Sequence, residues 1–451
     1  MSIPRIMIAA PASGGGKTLT ACGIMRALTR RGMTVAPFKC GPDYIDPLHH
    51  AAAAGRRSGN LDPFFLDRET MRERFAADAA GGDIAVVEAA MGYYDGFRPD
   101  SPAGSAHDVA GRLECPTVLV VDGKGAAFSA VPVVAGFADH MDNSRIVGAV
   151  FNNMSAKVYA GIAPAVEALG VKPLGHIPRM PRLSLGSRHL GLLMPDEIAG
   201  LDADLDLLAA KLEETVDLDA VVALAAAAPP LPSPPASAPP AADVRIAVAD
   251  DAAFRFIYED NLEMLRAAGA EIVRFSPLRD PHPPDGIAGL ILPGGYPELH
   301  AGELSGNRGM RDAVREAIAG GMPYLAEAGG FAYLHEELVG ADGGTHAMAG
   351  VYPGRAGDAG RLVRFGYVEL ESLSAAGVLP RGCKVRGHEF RRLDSDAAGM
   401  DAAAVKTDGS GYRCLHIGPG HIAGFPQLYL RSSPGLAERF ADACRAYNRD
   451  I

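Results

Sequence analysis

Three short stretches in the first hundred residues carry side chains spaced for phosphate and carboxylate chemistry. Pro11-Ala12-Ser13-Gly14-Gly15-Gly16-Lys17-Thr18 follows an apolar run at 6–10 and opens a helical pattern at 19–28. Between a strand and a helix, such a loop turns the backbone N–H groups of Ser13, Gly14, Gly15 and Gly16 toward phosphates. Lys17 would neutralise β/γ charge there, and Thr18 can ligate Mg²⁺. The strict pattern has glycine where Pro11 stands, so this loop is a variant. Asp43 and Asp46, three residues apart, lie in Phe38-Lys39-Cys40-Gly41-Pro42-Asp43-Tyr44-Ile45-Asp46-Pro47. Two acids on a rigid Gly-Pro turn suit a metal or a metal-bound phosphate, although Asp-rich turns also form for conformational reasons alone. Ile84-Ala85-Val86-Val87-Glu88 ends an apolar run in an acid, and Asp95 follows in Met91-Gly92-Tyr93-Tyr94-Asp95-Gly96. A carboxylate at a strand tip beside a phosphate loop is a place for Mg²⁺.

These groups must be carried by strands whose ends meet. Apolar runs at 5–10, 34–38, 84–88, 117–122 and 147–151 alternate with helical patterns, which predicts a parallel sheet covered by helices. The stretch 225–242 is rich in Ala, Pro and Ser, with seven prolines from Pro229 to Pro240, and is expected to be a semi-extended linker. Beyond it the alternation restarts, with strands at 244–248, 271–275 and 288–292 and a helix near 258–268. The expected organisation is therefore a P-loop, parallel-sheet ATP domain over 1–224, the linker over 225–242, and a second α/β domain over 243–451.

Composition narrows the classes. At 451 residues the chain exceeds one ordinary core. Hydrophobic residues make up 48% and charged residues 22%, as in soluble globular proteins. A net charge of −11 argues against nucleic acid or an anionic membrane as partner. The six cysteines show no CxxC pair or zinc spacing, and no signal or membrane-spanning run is evident. A reduced, cytoplasmic protein with free thiols is the expectation.

The ordered motifs carry a resemblance. APASGGGKT, FKCGPDYIDP, NLDPFFL (60–66), VEAAMGYYDG, GSAHDVA (104–110) and PRLSLGSRHLGL (181–192) occur here in the order seen in cobyrinate and hydrogenobyrinate a,c-diamide synthases. That resemblance, over nearly the whole chain, implies a dethiobiotin-synthetase-like ATP domain joined to a class I glutamine-amidotransferase-like (flavodoxin-like) domain. It implies amidation of carboxylates on a corrinoid or related tetrapyrrole, with ATP and Mg²⁺. Matched by motif position, Lys17 and Thr18 would bind ATP·Mg²⁺, and Asp43, Glu88 and Asp95 would serve metal binding and amidation. Tyr44, Ile45 and Asp46 would lie near the macrocycle. A homodimer is left open.

The second half matches the same family and departs from it where its chemistry would sit. Leu292-Pro293-Gly294-Gly295-Tyr296 matches an oxyanion loop, with Gly294 and Gly295 supplying amides. Arg386-Gly387-His388-Glu389-Phe390 is another shared signature. The family's elbow reads A-E-C-G-G, whereas this chain has Ala326-Glu327-Ala328-Gly329-Gly330. Strand, sharp turn and helix are expected there, with Ala328 at an apex where a thiolate should stand. Near the end, Gln427 takes the position of the histidine that would activate that thiol. Glutamine has no titratable nitrogen. Nitrogen is therefore expected as ammonia, free or from a donating partner. The rival readings are a paralogue acting on a siroheme-type acceptor or using another amine, and a non-catalytic regulator that binds ATP and a tetrapyrrole.

Overall fold

A computed structural model describes residues 3–181, 187–188, 191–232 and 240–450. The chain divides into two compact units, residues 1–236 and 237–451.

In the first unit the elements follow in the order β1 (Arg5–Ala9), α1 (Lys17–Arg30), β2 (Val35–Cys40), α2 (Asp46–Ala54), β3 (Gly59–Leu61), α3 (Arg68–Asp78) and β4 (Ile84–Glu88). Then come α4 (Ala106–Leu113), β5 (Thr117–Asp122), α5 (Ala130–Asp139), β6 (Ile146–Asn152), α6 (Ala156–Glu167) and β7 (Lys172–Ile177). A short antiparallel pair, β8 (Ser187–Arg188) and β9 (Gly191–Leu192), precedes α7 (Leu201–Thr215) and α8 (Leu218–Ala226). Strands β1 to β7 form one parallel sheet in the order β3-β2-β4-β1-β5-β6-β7. The five sequence-expected strands are all present, and the short β3 and the edge strand β7 add to them.

Burial explains why these runs are strands. Every residue of β1, β2 and β4 is buried, as sequences covered on both faces require. Ile6, Ile8, Val86, Val118 and Val120 pack against apolar positions of α1, α7 and α8. Arg5 is buried in β1 and still satisfied: its guanidinium donates to Leu113 O at 2.7 Å and Pro229 O at 2.6 Å. It thereby ties the end of α4 and the chain after α8 to the central strand. Helix α8 runs through Ala226, two residues into the stretch expected to be non-helical, and stops before Pro229-Pro230. Pro229 and Pro230 remove the N–H groups a helix would need. The core of the expected linker, 233–239, and most of the 181–192 motif lie outside the described residues.

The second unit holds β10 (Val244–Ala249), α9 (Glu259–Ala267), β11 (Ala270–Phe275), β12 (Gly289–Leu292), α10 (Ala301–Gly306), α11 (Arg308–Ala319), β13 (Tyr324–Glu327) and α12 (Gly329–Tyr333). It continues through β14 (His335–Val339), β15 (Thr345–Ala347), β16 (Tyr352–Asp358), β17 (Arg364–Ser372), β18 (Lys384–Arg391) and β19 (Leu393–Ser395). It closes with β20 (Ala402–Lys406), β21 (Gly411–Cys414), β22 (His416–Gly418), β23 (His421–Gly424), β24 (Gln427–Tyr429) and α13 (Leu436–Asp450). The sheet β11-β10-β12-β13-β23-β22 is parallel up to its last, antiparallel strand. The sequence expectation of mainly parallel sheets needs two additions: β21-β20-β17-β18-β24 is a separate, wholly antiparallel sheet, and β15-β14-β16-β19 is a small mixed one.

Helix α1 positions the glycine loop, and its seat on α7 depends on one missing methyl group. A Cβ on Gly23 would stand 2.9 Å from Leu208 Cγ and 3.0 Å from Leu212 Cδ2. A mid-helix glycine usually costs about 1 kcal/mol against alanine, so close helix approach is what it supplies here. Gly23→Val should overpack this contact and destabilise the protein by about 1–3 kcal/mol. Chemical denaturation of the two proteins checks it.

Candidate functional site

The ends of β1, β2 and β4 meet, so the three chemistry-bearing stretches converge. In register, Glu88 lies opposite Ile8 of β1 and Lys39 of β2. The loop after β1 holds Gly14 at φ 80° and Gly16 at φ 93°, a left-handed conformation that glycine adopts without strain. A Cβ on Gly14 would meet nothing within 4 Å, so the mouth of the loop is open. Lys17 lies at the start of α1 with Nζ 3.1 Å from Ala12 O, folded over its own loop.

Glu88 is the centre of the arrangement. It is fully buried, and its Oε1 accepts from Thr18 Oγ1 at 2.6 Å and from Lys39 Nζ at 3.2 Å. Its Oε2 lies 2.5 Å from His50 Nε2. Burial pushes the carboxyl pKa up, but Lys39, His50 and Thr18 outweigh burial and hold it below the usual carboxylate range. Lys39 also reaches Asp46 Oδ2 at 2.6 Å. Burial works against its charge, yet Asp46 and Glu88 prevail and push its pKa well up. Burial, with Asp43 and Glu88 adding to it and Lys39 opposing, raises Asp46 to about 7. Lys17 is lowered to about 8, first by burial and then by the like charge of Lys39. Lys39 thus has its ammonium on Asp46, Glu88 and Ala89 O, while Lys17 turns to the glycine loop.

The remaining expected residues have distinct placements. Asp43 spends Oδ1 on the backbone N–H groups of Ile45 and Asp46, fixing the first turn of α2. Tyr44 and Ile45 are buried with Asp46, whose carboxylate turns inward to Lys39. Asp95 is exposed and accepts from Gly92 N at 2.8 Å; a Cβ on Gly92 would come 2.6 Å from Pro11 O. This turn is therefore pressed against the glycine loop. Among the described residues, no group of three His, Cys, Asp or Glu side chains could hold a metal alone. Thr18 with Glu88 offers the sparse oxygen set that suits Mg²⁺ sharing its coordination with phosphates. Lys39 and His50 were not singled out from the sequence. Their signal was a lysine inside the buried run Val35–Cys40 and a histidine on the inner face of α2.

In the second unit the elbow keeps its shape around an inert side chain. Ala328 has φ 45° and ψ −109°, its N–H donates to Gly424 O at 2.9 Å, and α12 starts at the next residue. The neighbouring glycines are obligatory: a Cβ on Gly330 would lie 1.9 Å from Leu292 O. Leu428 N donates to Glu327 Oε1 at 3.0 Å, which brings β24 beside the elbow. Gln427 is buried in β24, with Nε2 2.6 Å from where a Cβ on Gly294 would be. Apex, glycine loop and Gln427 are thus adjacent, with no thiol at the apex. His388 pairs across the sheet with Gln427, and burial lowers its pKa to about 3, so it stays neutral. Among the described residues no helix is long and apolar enough to cross a membrane.

Comparison with known proteins agrees with this two-part architecture. Residues 6–192 match the CobQ/CobB/MinD/ParA nucleotide binding domain family, and 245–414 match the CobB/CobQ-like glutamine amidotransferase domain family. A hydrogenobyrinate a,c-diamide synthase from Streptomyces coelicolor is 38% identical, over 98% of this chain and 98% of that protein. Another from Rhodobacter capsulatus is 41% identical over 93% and 97%. A cobyrinate a,c-diamide synthase from Syntrophotalea carbinolica is 36% identical over 99% of each chain.

Two stability measurements follow from the elbow. A non-glycine residue at this φ costs on the order of 1–3 kcal/mol, so Ala328→Gly should raise the unfolding free energy by about 1 kcal/mol. An unchanged or lower value would mean the apex is unstrained. Glu327 is half-buried at the end of β13, and its burial raises its pKa from 4.5 to about 8. Its folded pKa is above the unfolded one, so the native state is favoured less as pH rises from 4.5 to 8. Glu327→Gln should therefore be near neutral at pH 4.5, stabilise increasingly up to pH 8, and level off above it. Urea titrations across this range check the trend.

Proposed function

The chain belongs to the cobyrinate and hydrogenobyrinate a,c-diamide synthase family, and from that premise we propose that it is an ATP-dependent ligase converting carboxylates of a corrin precursor into amides, with ammonia as nitrogen donor. The observation that carries the reading is the contrast between the halves. Around Glu88 every polar partner is in place, whereas at the elbow Ala328 and Gln427 replace the family's nucleophile and base.

A carboxylate is a poor acyl electrophile because oxide would have to leave. In the proposed reaction a substrate carboxylate oxygen attacks the γ-phosphorus of ATP, ADP leaves, and an acyl phosphate forms. Ammonia then attacks the acyl carbon, phosphate departs, and the extra proton on nitrogen goes to a nearby base. Lys17 and the loop amides at Gly14 to Gly16 bind the phosphates. Lys39, with its ammonium on Glu88, Asp46 and Ala89 O, would hold the two acids in place rather than reach the phosphates itself. Thr18 and Glu88 would hold Mg²⁺, which when bound neutralises phosphate charge. Asp43 orders the turn carrying Tyr44 and Ile45, and Asp95, exposed beside the loop, would take the proton that ammonia loses.

The elbow cannot supply ammonia from glutamine. A side-chain amide is displaced by a thiolate, and Ala328 offers a methyl group. Gln427 adds no general base.

Lys17→Ala should lower corrinoid-stimulated ATP turnover by at least about 100-fold, the scale of removing a fixed charge stabiliser. Cobyrinate and hydrogenobyrinate with ammonium are the assay substrates, and full turnover in the variant would sink the ligase reading. Ala328→Cys alone should release no glutamate from glutamine, while Ala328→Cys with Gln427→His should restore measurable release. Glutamate release by the unmodified protein would contradict the account of the elbow.

A further inference from the structure

Glu88 has one neighbour with no role in the reaction as described. His50 is fully buried on α2, and both its ring nitrogens meet polar atoms: Nε2 lies 2.5 Å from Glu88 Oε2 and Nδ1 3.1 Å from Ser58 Oγ. A carboxylate oxygen only accepts, so Nε2 carries a proton and donates it, and Nδ1 shares a second hydrogen bond with the Ser58 hydroxyl. A histidine that only filled space would not place each nitrogen on a polar partner. The adjacent His49 shows the contrast, since it bonds Leu193 O at 2.9 Å through Nε2 and has no partner for Nδ1 among the described residues.

We infer that His50 is a positioning residue: it anchors one oxygen of Glu88 from inside the core so that the other faces Thr18, and so sets how tightly Thr18 and Glu88 hold a divalent cation beside bound nucleotide. The inference rests on the proposed nucleotide and Mg²⁺ reading of this loop. The physical argument concerns the freedom of a carboxylate. Glu88 Oε1 is shared by Thr18, in the first turn of α1, and Lys39, on β2, whereas Oε2 is held by His50, on α2. Remove that donor and a buried oxygen is left without a partner, a state the carboxylate escapes by rotating Oε2 toward Lys39. Oε1 would then leave Thr18, and the pair of oxygens offered to the cation would come apart. Ser58 acts one step further out by fixing the ring and its tautomer. Partners of ligand side chains commonly control metal affinity in this way.

The test uses the full-length protein with Mn²⁺ in place of Mg²⁺ and a non-hydrolysable ATP analogue, reading free Mn²⁺ by electron paramagnetic resonance. His50→Leu keeps the volume and removes the donor, and should weaken Mn²⁺ binding about 10–100-fold. Analogue binding without metal should not change. His50→Gln places a donor near the position of Nε2 and should recover most of the affinity. Ser58→Ala should weaken Mn²⁺ binding less than His50→Leu, and with His50→Gln it decides the matter should His50→Leu fail to fold. Equal Mn²⁺ affinity in wild type, His50→Leu and Ser58→Ala would overturn the inference and leave the proposed function standing. So would equal weakening by His50→Leu and His50→Gln, which would make His50 a packing residue. A wild-type protein that binds neither analogue nor Mn²⁺ would instead overturn the nucleotide reading itself.

Discussion

A carboxylate can be sealed away from water only when donors and cations replace the water, and Glu88 is sealed completely. Its donors come from three places: Thr18 at the start of α1, Lys39 on β2 and His50 on α2. The charge on one strand tip therefore fixes the loop after β1, the end of β2 and the helix after it relative to one another. Removing one partner from such a buried group typically costs about 3–5 kcal/mol, because the charge remains and its compensation does not. The same constraint keeps Lys39 charged inside the protein and turns Asp46 inward. What is left at the loop is Lys17, with the glycine amides around it.

The second unit is governed by backbone geometry. Gly329 and Gly330 press against Gly295 and Leu292, and the strand β23 takes the N–H of Ala328. The apex therefore stays at positive φ whatever side chain it carries. A fold of this kind can lose its nucleophile without losing its shape. Glu327 and the buried Gln427 lie beside each other, Glu327 accepting from the next residue Leu428 N, without a thiol to serve. One half of the protein thus keeps its charges in order, and the other keeps only the framework.

Much of this was legible in the sequence, and the limits have physical causes. Ile84–Glu88 and Thr117–Asp122 were readable because strands buried on both faces are continuous apolar runs that end sharply. The loop at 11–18 and the elbow at 326–330 were readable because glycine spacing is dictated by local backbone geometry. The antiparallel strands were not. Arg364–Ser372 and Lys384–Arg391 mix charges, glycines and exposed aromatics, since one side of that sheet is open, with Phe365 and Phe390 in edge-to-face contact on it. His50 and Lys39 were hidden for another reason. Their meaning lies in the distance to Glu88, thirty-eight and forty-nine positions away along the chain. Asp43 and Asp46 looked equivalent in sequence, yet one closes the turn that leads into a helix and the other pairs with a buried lysine.

The central claim is that carboxylate activation survives in the first unit while nitrogen delivery from glutamine does not in the second. One reaction tests both: the protein with ATP, Mg²⁺, a corrin a,c-dicarboxylate, ¹⁵N-ammonium and unlabelled glutamine, with the products weighed by mass spectrometry. The account predicts amide product whose new nitrogen is ¹⁵N at the full enrichment of the ammonium pool, with no glutamate formed. Unlabelled amide accompanied by stoichiometric glutamate would contradict it.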